Sequence, residues 1–141
     1  MRLRAALLLI IALGATNAMT GKRTVERKHS LGNGFQIITV AIDLSDCKDC
    51  FEGIAYYKEL WYRNRTLSST VGEYSLSPAK RFAIFEDTGK LMLFDANSAA
   101  LTDVTDGSFE VPSEFHWRES ARSVAVKYYG NHAESTIKLP D

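Results

Sequence analysis

An excess of charge of one sign is absent from this chain. Lys and Arg number 17, Asp and Glu number 17, and the formal net charge at pH 7 is 0. Proteins that hold nucleic acid usually show a basic excess or stripe, so the composition gives no electrostatic case for such a partner. Apolar runs long enough to cross a bilayer are also missing, since a spanning helix needs about 20 residues. The Gly-x-Ser-x-Gly element, the Walker-type loop and the dinucleotide fingerprint do not occur, which leaves those nucleophile, phosphate and cofactor chemistries without a sequence basis. Histidine is scarce and scattered, at His29, His116 and His132. Only His132 and Glu134 lie close together, and Asp43, Asp46 and Asp49 lack the Gly and the bidentate Glu of a calcium loop, so no metal site and no cofactor is expected.

What is present begins with an address. Arg2 and Arg4 precede an unbroken run of small and apolar residues from Ala5 to Ala15, and Thr16-Asn17-Ala18 supplies small residues at the right distance. That order predicts a signal helix spanning residues 1–18, cleaved near Ala18, and hence a secreted or periplasmic protein. Removing Arg2 and Arg4 from the 17 basic side chains leaves 15 against 17 acidic ones, a formal charge of −2. Residues 19–31 hold Lys22, Arg23, Arg27 and Lys28 with Val25 as the one sizeable aliphatic side chain, and read as a flexible basic arm.

Residues 32–141 then read as one antiparallel β-domain. Gly32-Asn33-Gly34 marks a turn, and Phe35–Leu44 is rich in β-branched residues. Phe82–Phe85 and Leu91–Phe94 are consecutive apolar runs joined by a polar turn containing Gly89, the form of a hairpin covered on both faces. Further extended stretches fall at Val71–Leu76, Leu101–Thr105, Phe109–Val111, Phe115–Trp117, Val124–Tyr129 and Ile137–Leu139. Over residues 51–63 the helical and strand periods compete, and Gly53 with the Tyr and Trp content favours strand. The spacing predicts an all-β meander or sandwich of about seven to nine short strands.

One stretch, residues 77–107, resembles a single blade of the TolB or WD40-like β-propellers. It has Ser77-Pro78, the paired runs 82–85 and 91–94, Asp95, and Leu101-Thr102 with Val104-Thr105-Asp106-Gly107. It departs from those blades where Ala79-Lys80 stands in place of an Asp-Gly turn. A closed propeller needs four or more blades of about 40 to 45 residues each. The resemblance therefore implies blade-like strand pairing, without closure and without any functional residue carried across.

Two groups of residues are candidates for chemistry or binding. Cys47-Lys48-Asp49-Cys50, in an exported chain, reads as a disulfide clamping a small loop. The alternative is a thiol-disulfide oxidoreductase with Cys47 attacking and Cys50 resolving, because a strand runs into the pair as in thioredoxin-like proteins and Ser77-Pro78 supplies a facing proline. Asp46 and Asp49 oppose that chemistry by raising the thiol pKa values, and the span from Cys50 to Pro78 is short for the crossover such a fold requires. The aromatic residues Tyr56, Tyr57, Trp61 and Tyr62 form a candidate binding face for a protein, peptide or glycan. Asn64-Arg65-Thr66 matches a glycosylation sequon. The reading is a non-catalytic binding or accessory module, able to form a homo-oligomer.

Overall fold

The computed structural model describes residues 22–44, 53–107, 110–130 and 134–141. The signal segment, Cys47, Cys50 and His132 lie outside the described residues. The chain divides into two compact units, whose described parts are residues 22–27, 39–44 and 53–57 in the first, and 28–38 with most of 58–141 in the second.

The fold is all-β. The first sheet has the order β1-β2-β3-β4, made of β1 (Lys22–Gly32), β2 (Phe35–Asp43), β3 (Ile54–Tyr62) and β4 (Arg65–Ser68). The second runs β5-β6-β7-β8, made of β5 (Val71–Leu76), β6 (Phe82–Asp87), β7 (Lys90–Asp95) and β8 (Ala100–Asp103). The third has β10 (Ser123–Tyr128) at its centre, between β9 (Pro112–Arg118) and β11 (Ser135–Lys138). Every hydrogen-bonded neighbour is also a sequence neighbour, so each sheet is a meander that short turns can connect.

Eleven strands appear among the described residues, more than the pattern foretold. Residues 22–30, expected as a basic arm, are strand with their side chains exposed. The ladder of backbone hydrogen bonds to β2 orders this segment without an apolar face, and hydrophobic periodicity therefore gives no sign of it. The polar stretch Arg65–Ser68 is β4, with Leu67 and Ser68 buried. Residues Ile54–Tyr62 are strand, as their aromatic content favours.

The second sheet is covered on both faces. Along β6 alternate side chains point to opposite sides. Ala83 and Phe85 join Phe35, Ile37, Leu60, Tyr62 and Phe94 in one cluster, while Phe82 and Ile84 join Leu91, Leu93, Val124 and Val126 in another. Ala83, Ile84 and Phe85 are each 0 % exposed, which explains why this strand is apolar at consecutive positions. Full burial of a Phe or Ile side chain contributes about 1.5–3 kcal/mol. In the first cluster the rings of Phe35, Tyr62 and Phe94 meet at centroid distances of 4.8, 5.1 and 5.9 Å. Such pairs add about 0.5–1.5 kcal/mol each beyond the area they bury.

The hairpin turn between Asp87 and Lys90 explains the glycine there. Thr88 and Gly89 have φ of 48° and 82°. Two successive residues at positive φ form the turn whose twist matches that of paired strands. The Glu86 carboxylate accepts the Gly89 N–H at 2.9 Å and closes the turn further.

Candidate binding cleft

A cleft of about 210 Å³ opens in the second unit, where the turn between β5 and β6 meets the end of β9 and the segment after β11. Phe82, Trp117, Leu139 and Pro140 are among its apolar lining, Arg81, Arg118 and Arg122 are its cationic lining residues, and Glu119 is an anionic one.

Local hydrogen bonding shapes the first wall. Ser77 accepts the Phe82 N–H on Oγ at 3.0 Å, and its own N–H donates to the Phe82 carbonyl at 2.9 Å. The Lys80 N–H returns to the Ser77 carbonyl at 2.8 Å, with Lys80 at φ 56°. This closed turn delivers Arg81 to the open end of the β6–β7 hairpin, where Phe82 pairs with Asp95 and the Ala96 N–H bonds the Arg81 carbonyl.

Arg81 is held in one orientation. Its Nε and Nη2 donate to the two carboxylate oxygens of Asp95 at 2.9 and 3.0 Å, and its guanidinium lies 4.6 Å from the Phe82 ring centre. The Asp95 side chain is 5 % exposed and that of Arg81 is 28 % exposed. Hydrogen bonding from Arg81 holds the Asp95 carboxyl below its ordinary range, against the opposing effect of burial, and the Asn97 N–H on Oδ1 adds to the lowering. The guanidinium is raised in turn, chiefly by its bond to Asp95. A fork oriented in this way loses little freedom when it takes a further acceptor.

The second wall is β9 and the turn after it. Trp117 donates its indole N–H to Ser75 Oγ at 2.9 Å, which presents the ring to the cleft. Arg118 donates to Glu134 at 2.7 Å. A 3₁₀ turn over Glu119–Ala121 ends at Arg122, whose φ of 47° is left-handed. The Leu139 N–H donates to the Arg122 carbonyl at 2.9 Å, bringing residues 139–141 alongside. Arg122 pairs with the Asp141 side-chain carboxylate, and Arg81 Nη2 donates to the Asp141 main-chain oxygen at 2.8 Å.

The face of the third sheet turned away from its apolar cluster is polar. By alternation it carries Glu114, His116, Arg118 and Lys127. His116 Nε2 is 3.0 Å and Lys127 Nζ 3.7 Å from the Glu114 carboxylate, whose pKa is lowered first by His116 and then by Lys127.

The aromatic residues singled out from the sequence do not form one face. Tyr62 is buried in the core against Phe35 and Phe94, which makes it packing material and corrects its place in a binding surface. Trp61 is half-buried, on the opposite side of β3 from Tyr62, and donates to Glu59 at 3.0 Å. Tyr56 and Tyr57 belong to the first unit and are 64 % and 40 % exposed. Asn64 is exposed in the turn between β3 and β4. Cys47 and Cys50, as disulfide or as redox pair, lie outside the described residues. Among the described residues no group of three or more His, Cys, Asp or Glu is placed to hold a metal ion, and no helix is long and apolar enough to cross a membrane.

Sequence reasoning passed over Arg81, Arg118, Arg122 and Trp117 as a group. The one local signal was the hairpin itself, since Arg81 and Asp95 bracket its two runs. No protein-family model, no curated protein and no solved structure matches this chain.

Proposed function

We propose that the protein is an exported, non-catalytic binding module built from blade-like β-meanders, with the Arg81–Arg118–Arg122 cleft as its ligand site. The observation that carries this reading is the pairing of an aromatic floor, Phe82 and Trp117, with a guanidinium already oriented by Asp95. Rigid rings and Arg forks are the side chains that contribute most at recognition sites. A volume of about 210 Å³ is below the 300–1,000 Å³ usual for drug-sized ligands, and suits one or two side chains of a larger partner. Export rests on the leader-like residues 2–18. The four-stranded meander β5–β8, covered on both faces, supports the blade-like description. The strand at Ile54–Tyr62, where a redox fold would place a helix, supports a structural role for Cys47 and Cys50 over the oxidoreductase alternative.

The test uses Trp61→Phe, which leaves Trp117 as the one indole in the chain. Its N–H resonance should shift saturably in titrations with a panel of short peptides and oligosaccharides, and the shift should vanish in the Arg118→Ala/Arg122→Ala double variant. A resonance indifferent to the whole panel would refute the assignment of the cleft.

A further inference from the structure

We infer that the open edge of β1, over residues 22–27, receives an extended acidic segment of another protein by strand addition. β1 is the outermost strand of the first sheet, with β2 as its neighbour on one side. Its other side carries a row of backbone N–H and C=O groups for which the sheet supplies no partner strand. Every side chain from Lys22 to Arg27 is exposed, on both faces of the strand, which leaves room for an incoming chain to lie alongside. These residues belong to the first unit, and the inference does not depend on the cleft in the second.

The side chains say what the incoming strand carries. By alternation Arg23, Val25 and Arg27 share one face, and Lys22, Thr24 and Glu26 share the other. Three cations stand against one anion, Glu26, within this stretch. Like charges directly opposite each other destabilise antiparallel pairing and opposite charges stabilise it. Cationic side chains on an edge thus keep two copies of the chain apart, and the same charges select an acidic partner. Across from the first face the fitting pattern is a carboxylate, an aliphatic residue and a second carboxylate at alternate positions. The central residue would cover Val25, which is 40 % exposed. Main-chain hydrogen bonds then supply the affinity, and the facing side chains supply the choice of partner.

The experiment follows the backbone amides of residues 22–27 by NMR in the full protein, titrated with N-acetylated, C-amidated Glu-Thr-Val-Thr-Glu and with Gln-Thr-Val-Thr-Gln as its neutral counterpart. Laid antiparallel, the two acidic residues stand opposite Arg27 and Arg23, and the central one opposite Val25. The acidic peptide should shift these amides saturably and bind about fivefold more tightly than the neutral one, as two exposed charge pairs allow. Arg27→Glu, at an exposed position, should erase that preference and leave the melting temperature unchanged. Peptide N-methylation separates strand pairing from plain charge attraction, because alternate amides of a strand face opposite edges. Methyl groups on the two Thr amides and methyl groups on the Glu and Val amides should differ, one set abolishing binding and the other leaving it intact. Equal binding of the acidic and neutral peptides overturns the acidic partner. Equal effects of the two methylated sets overturn strand addition and leave an ionic contact only. No shift at residues 22–27 with either peptide, or a dimer through β1 that excludes both, overturns the inference as a whole.

Discussion

Replacing Asp95 by Asn tests the contact that orients the cleft. The substitution keeps the shape and removes the charge. One amide oxygen can still accept from Arg81 or from the Asn97 N–H, but the amide nitrogen would face a guanidinium donor where an acceptor stood. A fully exposed pair is worth at most about 1 kcal/mol, whereas stripping one partner from a buried pair costs about 3–5 kcal/mol. Here the carboxylate is 5 % exposed and the guanidinium 28 %, so Arg81 can recover part of its hydration and the cost falls between these limits, at about 2 kcal/mol. Chemical denaturation at pH 7 should register that loss, and melting should fall by about 8 °C for a domain of this size. The pH dependence is a second, independent reading. Asp95 is lowered from the ordinary 3.8, so its contribution is fully present above that value and is lost as pH falls through the lower folded value. The gap between wild type and Asp95→Asn should therefore stay constant down to about pH 5 and close below about pH 4. Asp103 and Glu114 are lowered as well, and they cancel in this difference because both proteins carry them. A loss under about 0.5 kcal/mol at pH 7, or a gap that does not change with acid, would refute the account of the pair.

Ile84→Ala should cost about 3 kcal/mol in denaturant unfolding, since Ile84 is 0 % exposed and packs with Leu93, Val124 and Val126 in a site with little room to collapse. Gly89→Ala should cost about 1 kcal/mol by the same measurement, because its φ of 82° disfavours a Cβ while the turn itself is exposed. Reduction of the disulfide proposed between Cys47 and Cys50 should lower stability by about 2 kcal/mol in thermal melts without insulin-reducing activity, and activity that disappears in Cys50→Ser would reverse that reading.

The Arg cleft shows why net charge says little about local chemistry. Opposite charges balance over the whole chain, yet three arginine residues and a single acidic one, Glu119, line one concavity, and the acidic partners of those arginines are contributed by other segments. Composition excludes a broad basic field. It is silent about a site the width of one or two side chains.

The β6–β7 hairpin was legible from residues alone, because burial on both faces demands apolar side chains at successive positions and a tight turn demands a residue such as Gly89. The all-β class was legible for the same kind of reason, from short apolar runs set between polar turns. Strand β1 was not, since backbone pairing holds it and leaves no mark on its side-chain pattern. Tyr62 and Trp61 look alike in composition, and their places in β3 separate them by strand alternation and by which face another sheet covers. The cleft lies further out of reach. Arg81, Trp117, Arg122 and Leu139 are scattered along the chain, and they meet only because one meander packs on the next and the last strand returns along β10. Local periodicity records what each segment needs from its neighbours, whereas a site made of distant segments exists only once those neighbours have been chosen.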